Sequence, residues 1–350
     1  MRVLVVDQFS PAGLEEMKSA GIDVVYDASV AGESLTKMIA ELKPSVLVVR
    51  SKKVEKCHID ASSELKLIVR AGAGYDTIDF AYAASRGIYV CNCPGKNASA
   101  VAELTLGLIL SIDRRTAEGN ALFKEGQWNK GMFVDCKGIR GRTLGIIGYG
   151  NIGSLVCQAA KAFGMEVIVS TRTEHSGLEK AEGFTYVSQA ELLARADIVT
   201  LHTPSTPATK GMVNKEFLAQ MKPNAVFINT SRGDCLDEDA MLAKLEECKD
   251  FWCGLDVFKG EPSAKACEWS HPLAKHPRVY GTHHCGASTN QAESAIGVEA
   301  VRVIRKFIEE GKIDKANWVN AAEANKSFFK LSIRHLDKVG ILAHAFKVFA

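Results

Sequence analysis

Short runs of β-branched and other apolar residues alternate along the chain with stretches whose apolar positions recur every three or four residues, the pattern of strands and helices taken in turn. Up to about residue 95 the runs are Val3–Val6, Val24–Tyr26, Val46–Val49, Leu67–Val69 and Tyr89–Cys91. They predict one parallel α/β unit, with helices at Leu14–Met17 and Leu35–Leu42 covering the sheet. Ala98–Glu118 reads as one long helix, apolar almost all round its first half and therefore buried between two domains. A second series begins at Thr143, with six strands at Leu144–Ile147, Glu166–Val169, Ile198–Leu201, Ala225–Asn229, Cys253–Asp256 and Val279–Gly281. That count suits a doubly wound sheet. Ser288–Glu310 is a further long helix, and Asn320–Ser327 is polar and linker-like. Phe329, Leu331 and Ile333 then alternate as a strand does, and Gly340–Phe349 is an apolar helical run. One strand and one helix bury no core by themselves, so they either dock on the main body or open a third domain.

Composition changes this picture little. With 350 residues, 47% of them apolar, the chain has material for two cores. The 43 Lys and Arg nearly cancel the 41 Asp and Glu. No field capable of recruiting nucleic acid or an anionic membrane results, which leaves small molecules as the expected partners. The ten cysteines lack metal-type spacing: Cys91 and Cys93 have one residue between them where a zinc knuckle needs two. No metal is expected, and the thiols read as reduced, in a cytoplasmic protein. The apolar run after Met1 is too short for a signal peptide, and Leu104–Ile112, broken by Thr105 and Ser111, is too short for a membrane span.

The strongest motif is Gly148-Tyr149-Gly150-Asn151-Ile152-Gly153, placed between a strand and the helical run Leu155–Phe163. In that setting Gly148 allows a tight turn, Gly150 lets the backbone approach a pyrophosphate, and Gly153 lets helix and strand pack closely. The helix N-terminus supplies the N–H groups that hold the anion. An NAD site usually carries Asp or Glu about 20 residues later, at the next strand end. Here that tip is Ser170-Thr171-Arg172-Thr173. Arg172 and its neighbouring hydroxyls suit the 2′-phosphate of NADP, whereas Arg172 lying over an adenine would serve NAD or NADP equally. Both cofactors stay open.

Three later strand ends carry candidate chemistry: Asn229-Thr230-Ser231-Arg232-Gly233, Asp256 to Glu261-Pro262, and His283-His284-Cys285-Gly286-Ala287. Strand C-termini are where such sheets bind ligands. Together with the glycine turn and Leu201-His202-Thr203-Pro204, these segments resemble the D-isomer-specific 2-hydroxyacid dehydrogenases over residues 1 to about 322, in that family's order. The resemblance implies Arg232 as the cation that binds the substrate carboxylate and polarises the C2 oxygen, His284 as the acid/base, and Glu261 as the group orienting its ring. It assigns Asp256 to the nicotinamide carboxamide. Tyr149, Asn151, Ile152, Thr171, His202, Thr203, Pro204, Thr230, Ser231 and Gly286 would complete the dinucleotide site. Family members commonly have Pro-His where this chain has His283-His284, so His283 is either a backbone spacer or a second titrating group.

The same resemblance implies an α/β fold of two Rossmann-like domains with a cleft between them. Residues 1–96 and 288–322 would form the substrate domain and residues 97–287 the cofactor domain. In the first, Arg70-Ala71-Gly72 and Arg50-Ser51 end adjacent strands. Two arginines there suit a substrate bearing phosphate as well as carboxylate, with Lys130 a further candidate. This set resembles the phosphoglycerate dehydrogenases, which open serine synthesis by oxidising 3-phosphoglycerate. The segment 331–343 looks like the first strand and helix of an ACT domain, which would make residues 323–350 a linker and a truncated ACT-like start. The alternatives are a glyoxylate or hydroxypyruvate reductase and, from another class, a cofactor-sensing binding protein like the corepressors of this fold. A homodimer or homotetramer is expected, through Ala98–Glu118 and its neighbours.

Overall fold

The computed structural model describes residues 1–262 and 266–322, so the ACT-like segment lies outside the described residues. Two wholly parallel sheets form the frame. In the first, β1 (Arg2–Val5), β2 (Asp23–Tyr26), β3 (Val46–Val49), β4 (Leu67–Arg70) and β5 (Tyr89–Cys91) lie in the order β2-β1-β3-β4-β5. In the second, β6 (Thr143–Ile147), β7 (Glu166–Ser170), β8 (Thr185–Tyr186), β9 (Ile198–Leu201), β10 (Val226–Asn229), β11 (Trp252–Leu255) and β12 (Val279–Gly281) lie in the order β12-β11-β10-β9-β6-β7-β8. The expected strands are all present, and β8, a two-residue edge strand, makes the second sheet seven-stranded rather than six.

The central strands are buried on both faces, which is why they read as unbroken apolar runs. One face of the first sheet is covered by the helix Asn290–Glu310, whose Ile296, Ala300, Ile304 and Phe307 join Val3, Val46 and Leu67 in one apolar cluster. Leu35, Ile39 and Ile59 close the other face. Chain reversal at β1/β3 in the first sheet and β6/β9 in the second opens a crevice beyond the carboxyl ends of those strands, the usual ligand position in such sheets.

The predicted Ala98–Glu118 helix is two helices, Ala98–Arg114 and Thr116–Lys124. The break is Arg115, left-handed at φ 48°, ψ 43°, with its guanidinium over the Trp252 ring at 5.6 Å. The first helix is buried as expected, with Leu106, Ile109 and Ile112 packed on Val156 and Ala160. The second buries no residue. Among the described residues no helix is long and apolar enough to cross a membrane. All ten cysteines are free.

Candidate active site

At the end of β6 the chain turns through Gly148, at φ 94°, whose N–H donates to the Ser170 carbonyl (2.9 Å). A Cβ at 148 would stand 2.6 Å from the His202 carbonyl oxygen, and one at 153 would stand 2.3 Å from the Gly148 oxygen. Only glycine fits either place. Gly150 then caps the helix Asn151–Ala162 without a side-chain hydrogen bond, so its first N–H groups remain available to an anion. Ile152 lines the cleft, and the Asn151 amide lies against Gly95. Tyr149 is engaged elsewhere, its hydroxyl donating to Glu182 and its ring packed on Phe184. Thr171 is half-buried and Arg172 exposed at the tip of β7.

The ends of β10, β11 and β12 converge on the same cleft. Asn229 organises the first: its Oδ1 accepts from the Ser231 N–H (2.9 Å) and hydroxyl (2.7 Å), and its Nδ2 donates to the Arg232 carbonyl (3.0 Å). Thr230 is buried, its hydroxyl 2.9 Å from that of Thr105. Asp256, 1% exposed, organises the third. Its carboxylate accepts from the Thr282 hydroxyl (2.6 Å) and the N–H groups of Cys285 and Gly286 (2.9 Å each), while its carbonyl accepts from the His284 N–H (2.8 Å). Three donors from within the chain thus already reach the carboxylate that the sequence reading assigned to the carboxamide. These bonds hold His284 at φ 49°, a left-handed backbone that is costly for a residue with a Cβ.

His284 Nδ1 lies 2.5 Å from Glu261 Oε2, and Glu261 Oε1 accepts the Phe258 N–H (2.8 Å). Burial would raise the Glu261 pKa, but the hydrogen bonds from His284 and Phe258, with the His284 and Arg232 charges, hold it below the usual carboxylate range. An ionised Glu261 accepts a hydrogen bond from Nδ1–H of the ring, which leaves Nε2 as the nitrogen with the free lone pair. His202 sits opposite, with Nε2 3.0 Å from the Thr200 hydroxyl and Nδ1 buried without a partner; burial pushes its pKa down to about 3. His202, Thr203, Pro204, Thr230, Ser231, Arg232, Asp256, His284 and Gly286 all line one cavity. His283 is exposed and does not line it.

The model of the D-isomer specific 2-hydroxyacid dehydrogenase NAD binding domain matches residues 106–286, more than half of the chain. A hydroxypyruvate reductase of Thermotoga maritima is 40% identical over 275 residues, covering 78% of this chain and 87% of its own. The chain belongs to the D-isomer-specific 2-hydroxyacid dehydrogenase family. A D-3-phosphoglycerate dehydrogenase of Methanocaldococcus jannaschii is 38% identical over 312 residues, 88% of this chain, and this chain spans only 57% of that relative's length. Among solved structures, the NADPH-dependent glyoxylate/hydroxypyruvate reductase of Sinorhizobium meliloti with NADP and malonate superposes with a TM-score of 0.78 at 27% identity, covering 95% of this chain and 99% of its own.

The residues present fit the dinucleotide that this family uses. The two glycine approaches that a Cβ would close, and the orphaned His202 Nδ1 in the cleft wall, are what a bound cofactor would explain. Gly148, Gly150 and Gly153 with the following helix would hold its pyrophosphate, and a bound nicotinamide supplies or accepts the hydride.

The expected substrate residues divide. Arg70, with Ala71 and Gly72, stands at the β4 end: a Cβ at Gly72 would lie 1.5 Å from Arg70 Nη1, so the guanidinium rests directly on backbone. Its Nε is buried without a partner. Burial, then repulsion from Arg232 and Arg50, pushes its pKa down to about 10, so it remains a cation at neutral pH. Arg50 is instead paired with Glu293 (3.1 Å), and Ser51 is bound through both its N–H and its hydroxyl to Asp7. Lys130 is exposed on a 3₁₀ turn beside Trp128 and Phe133, and the cavity it lines is not the cleft. Sequence reasoning passed over Asp7 and Thr105 and gave Asn229 and Asp76 no role of their own; Asp7, Asp76 and Thr105 meet Arg50, Arg232 and Thr230, partners distant in the chain that leave no local signature.

Proposed function

We propose that the protein transfers a hydride between C2 of D-2-hydroxy acids and NAD(P), with 3-phosphoglycerate and 3-phosphohydroxypyruvate as its substrate pair. Arg232 binds the C1 carboxylate. His284 accepts the C2 hydroxyl proton at Nε2 in oxidation and returns it in reduction, and Glu261 orients the ring. The reading is supported above all by Arg232 and His284 lining one cavity, with Arg70 close enough to Arg232 to feel its charge. Arg70, whose Nε lacks a partner among the described residues, suits a substrate with a second anionic group. Residues 1–96 and 288–322 would then be the substrate half and residues 97–287 the dinucleotide half.

A second reading, a hydroxypyruvate or glyoxylate reductase, draws support from the Thermotoga relative and from the engagement of Arg50 by Glu293. Steady-state rates with 3-phosphoglycerate and with D-glycerate, each with NAD⁺ and NADP⁺, separate the two. The primary reading expects at least a tenfold preference in kcat/KM for the phosphorylated acid, abolished in Arg70→Ala. Equal rates, indifferent to Arg70, leave the reductase.

We further propose a homodimer built on the surface beyond Arg115, where Phe123 is 68% and Trp128 84% exposed around an apolar cavity. Light scattering is expected to give twice the chain mass, and Trp128→Glu the chain mass. A wild-type monomer at working concentration would end that proposal.

A further inference from the structure

A guanidinium presents five N–H donors in a rigid plane, so a carboxylate is read correctly only if that plane is held at a fixed angle. Arg232 reaches that angle through partners on both sides of the cleft. Nη1 donates to the Ser231 carbonyl (2.7 Å) on its own loop, whereas Nε donates to Asp76 Oδ2 (2.8 Å) on the loop after β4. Nη2 lies over Gly74, where a Cβ would stand 1.8 Å from it. Asp76 and Gly74 line the cleft with Arg232 and His284, and the edge-on contact of Tyr75 with Phe80 (5.5 Å) steadies their loop.

We propose that Asp76 is a positioning residue: it fixes the Arg232 fork from the opposite half of the cleft, so that the remaining N–H groups meet the substrate carboxylate at the angle that places C2 beside His284. This rests on the reading of Arg232 as the carboxylate receptor. Stability is a poor reason for the pair, because Asp76 is 49% and Arg232 32% exposed and such ion pairs contribute little to folding. Attraction of substrate is a worse one, since a negative charge beside the receptor repels an incoming carboxylate. Orientation is what remains, and it has a distinct kinetic signature. Removing the carboxylate relieves repulsion in the ground state while freeing the fork in the transition state, so kcat falls without a rise in KM.

The test is Asp76→Ala, Asp76→Asn and Arg232→Ala, assayed by steady-state kinetics in the reducing direction, with NADH and NADPH binding followed by fluorescence titration. The expected result for Asp76→Ala is a kcat at least tenfold lower, KM for the oxo acid unchanged or reduced, and dinucleotide affinity within twofold of wild type. Asp76→Asn, which keeps an oxygen for Nε, is expected to recover most of kcat. A kcat within twofold of wild type in Asp76→Ala overturns the proposal, and so does a KM that rises while kcat holds. Failure of the asparagine to rescue, with dinucleotide affinity lost as well, marks a structural brace and also overturns it. Should Arg232→Ala keep kcat/KM within threefold of wild type, the carboxylate reading itself falls. If Arg232→Ala is severely impaired and Asp76→Ala is not, only the role of Asp76 falls.

Discussion

The rims of the two sheets face the same cleft but are built in opposite ways. Along the second sheet nearly every polar group is satisfied from within: Asn229 ties the Arg232 loop, Asp256 ties the His284 loop, and Glu261 ties the imidazole. Along the first sheet Asp7 saturates the β3 end, but half-buried Arg70 has a buried Nε unpartnered among the described residues, with Arg232 and Arg50 as repelling neighbours. One rim is held by its own hydrogen bonds, which is what the proposed proton transfer and dinucleotide binding call for. The other leaves Arg70 Nε without a partner among the described residues, while Arg50 is held by Glu293 and Arg232 by Asp76. On the proposed reading, chemistry and specificity are divided between two separately built edges.

Breaking the rigid rim carries the largest expected effect. His284→Ala removes the proton acceptor and is expected to lower kcat by about 10²–10⁴, measured from the absorbance of the reduced nicotinamide with and without the substitution. A loss smaller than tenfold would move the acid/base role away from the second sheet. Next comes Gly153→Ala, whose Cβ meets the Gly148 carbonyl at 2.3 Å. Overpacking of this kind costs about 1–3 kcal/mol, so a fall in Tm should accompany at least a tenfold loss of NADH affinity. Retained affinity would show that the turn does not cradle the cofactor.

The smallest effect is one of pH. The His202 pKa lies at about 3 in the fold, below its unfolded value of roughly 6.5, so as pH falls through that window the unfolded chain takes up a proton that the folded chain refuses. Stability contributed by neutral His202 is therefore complete above the window and declines by about 1.4 kcal/mol per pH unit within it. Urea titrations from pH 6.5 down to about 4.5 should give a shallower decline for His202→Gln than for wild type; identical slopes would show that the imidazole is hydrated.

What the sequence disclosed follows from the range of the interactions involved. Both sheets were legible because a strand buried on two faces must be apolar throughout, as β3, β9 and β10 are. The glycine turn was legible because its close approaches admit only glycine, and the Arg232, Glu261 and His284 segments were found through their resemblance to the family. The break at Arg115 was not, since arginine has no preference for a left-handed backbone and what holds it there includes Trp252, far along the chain. The Asp256 bonds to the Cys285 and Gly286 N–H groups and the Asp76 pairing with Arg232 were equally hidden, because they join loops that only the folded topology brings together. Lys130, close to the helical segment in sequence, went instead to an apolar surface.

The left-handed backbone of His284 sets selection for durability against selection for turnover at a single codon. On the role proposed for His284, glycine at 284 would relieve a penalty of roughly 1–2 kcal/mol and leave a protein that melts later and turns over far more slowly. A screen that rewards heat resistance alone would therefore drift toward silence at this position, whereas one that rewards product would keep the less comfortable residue.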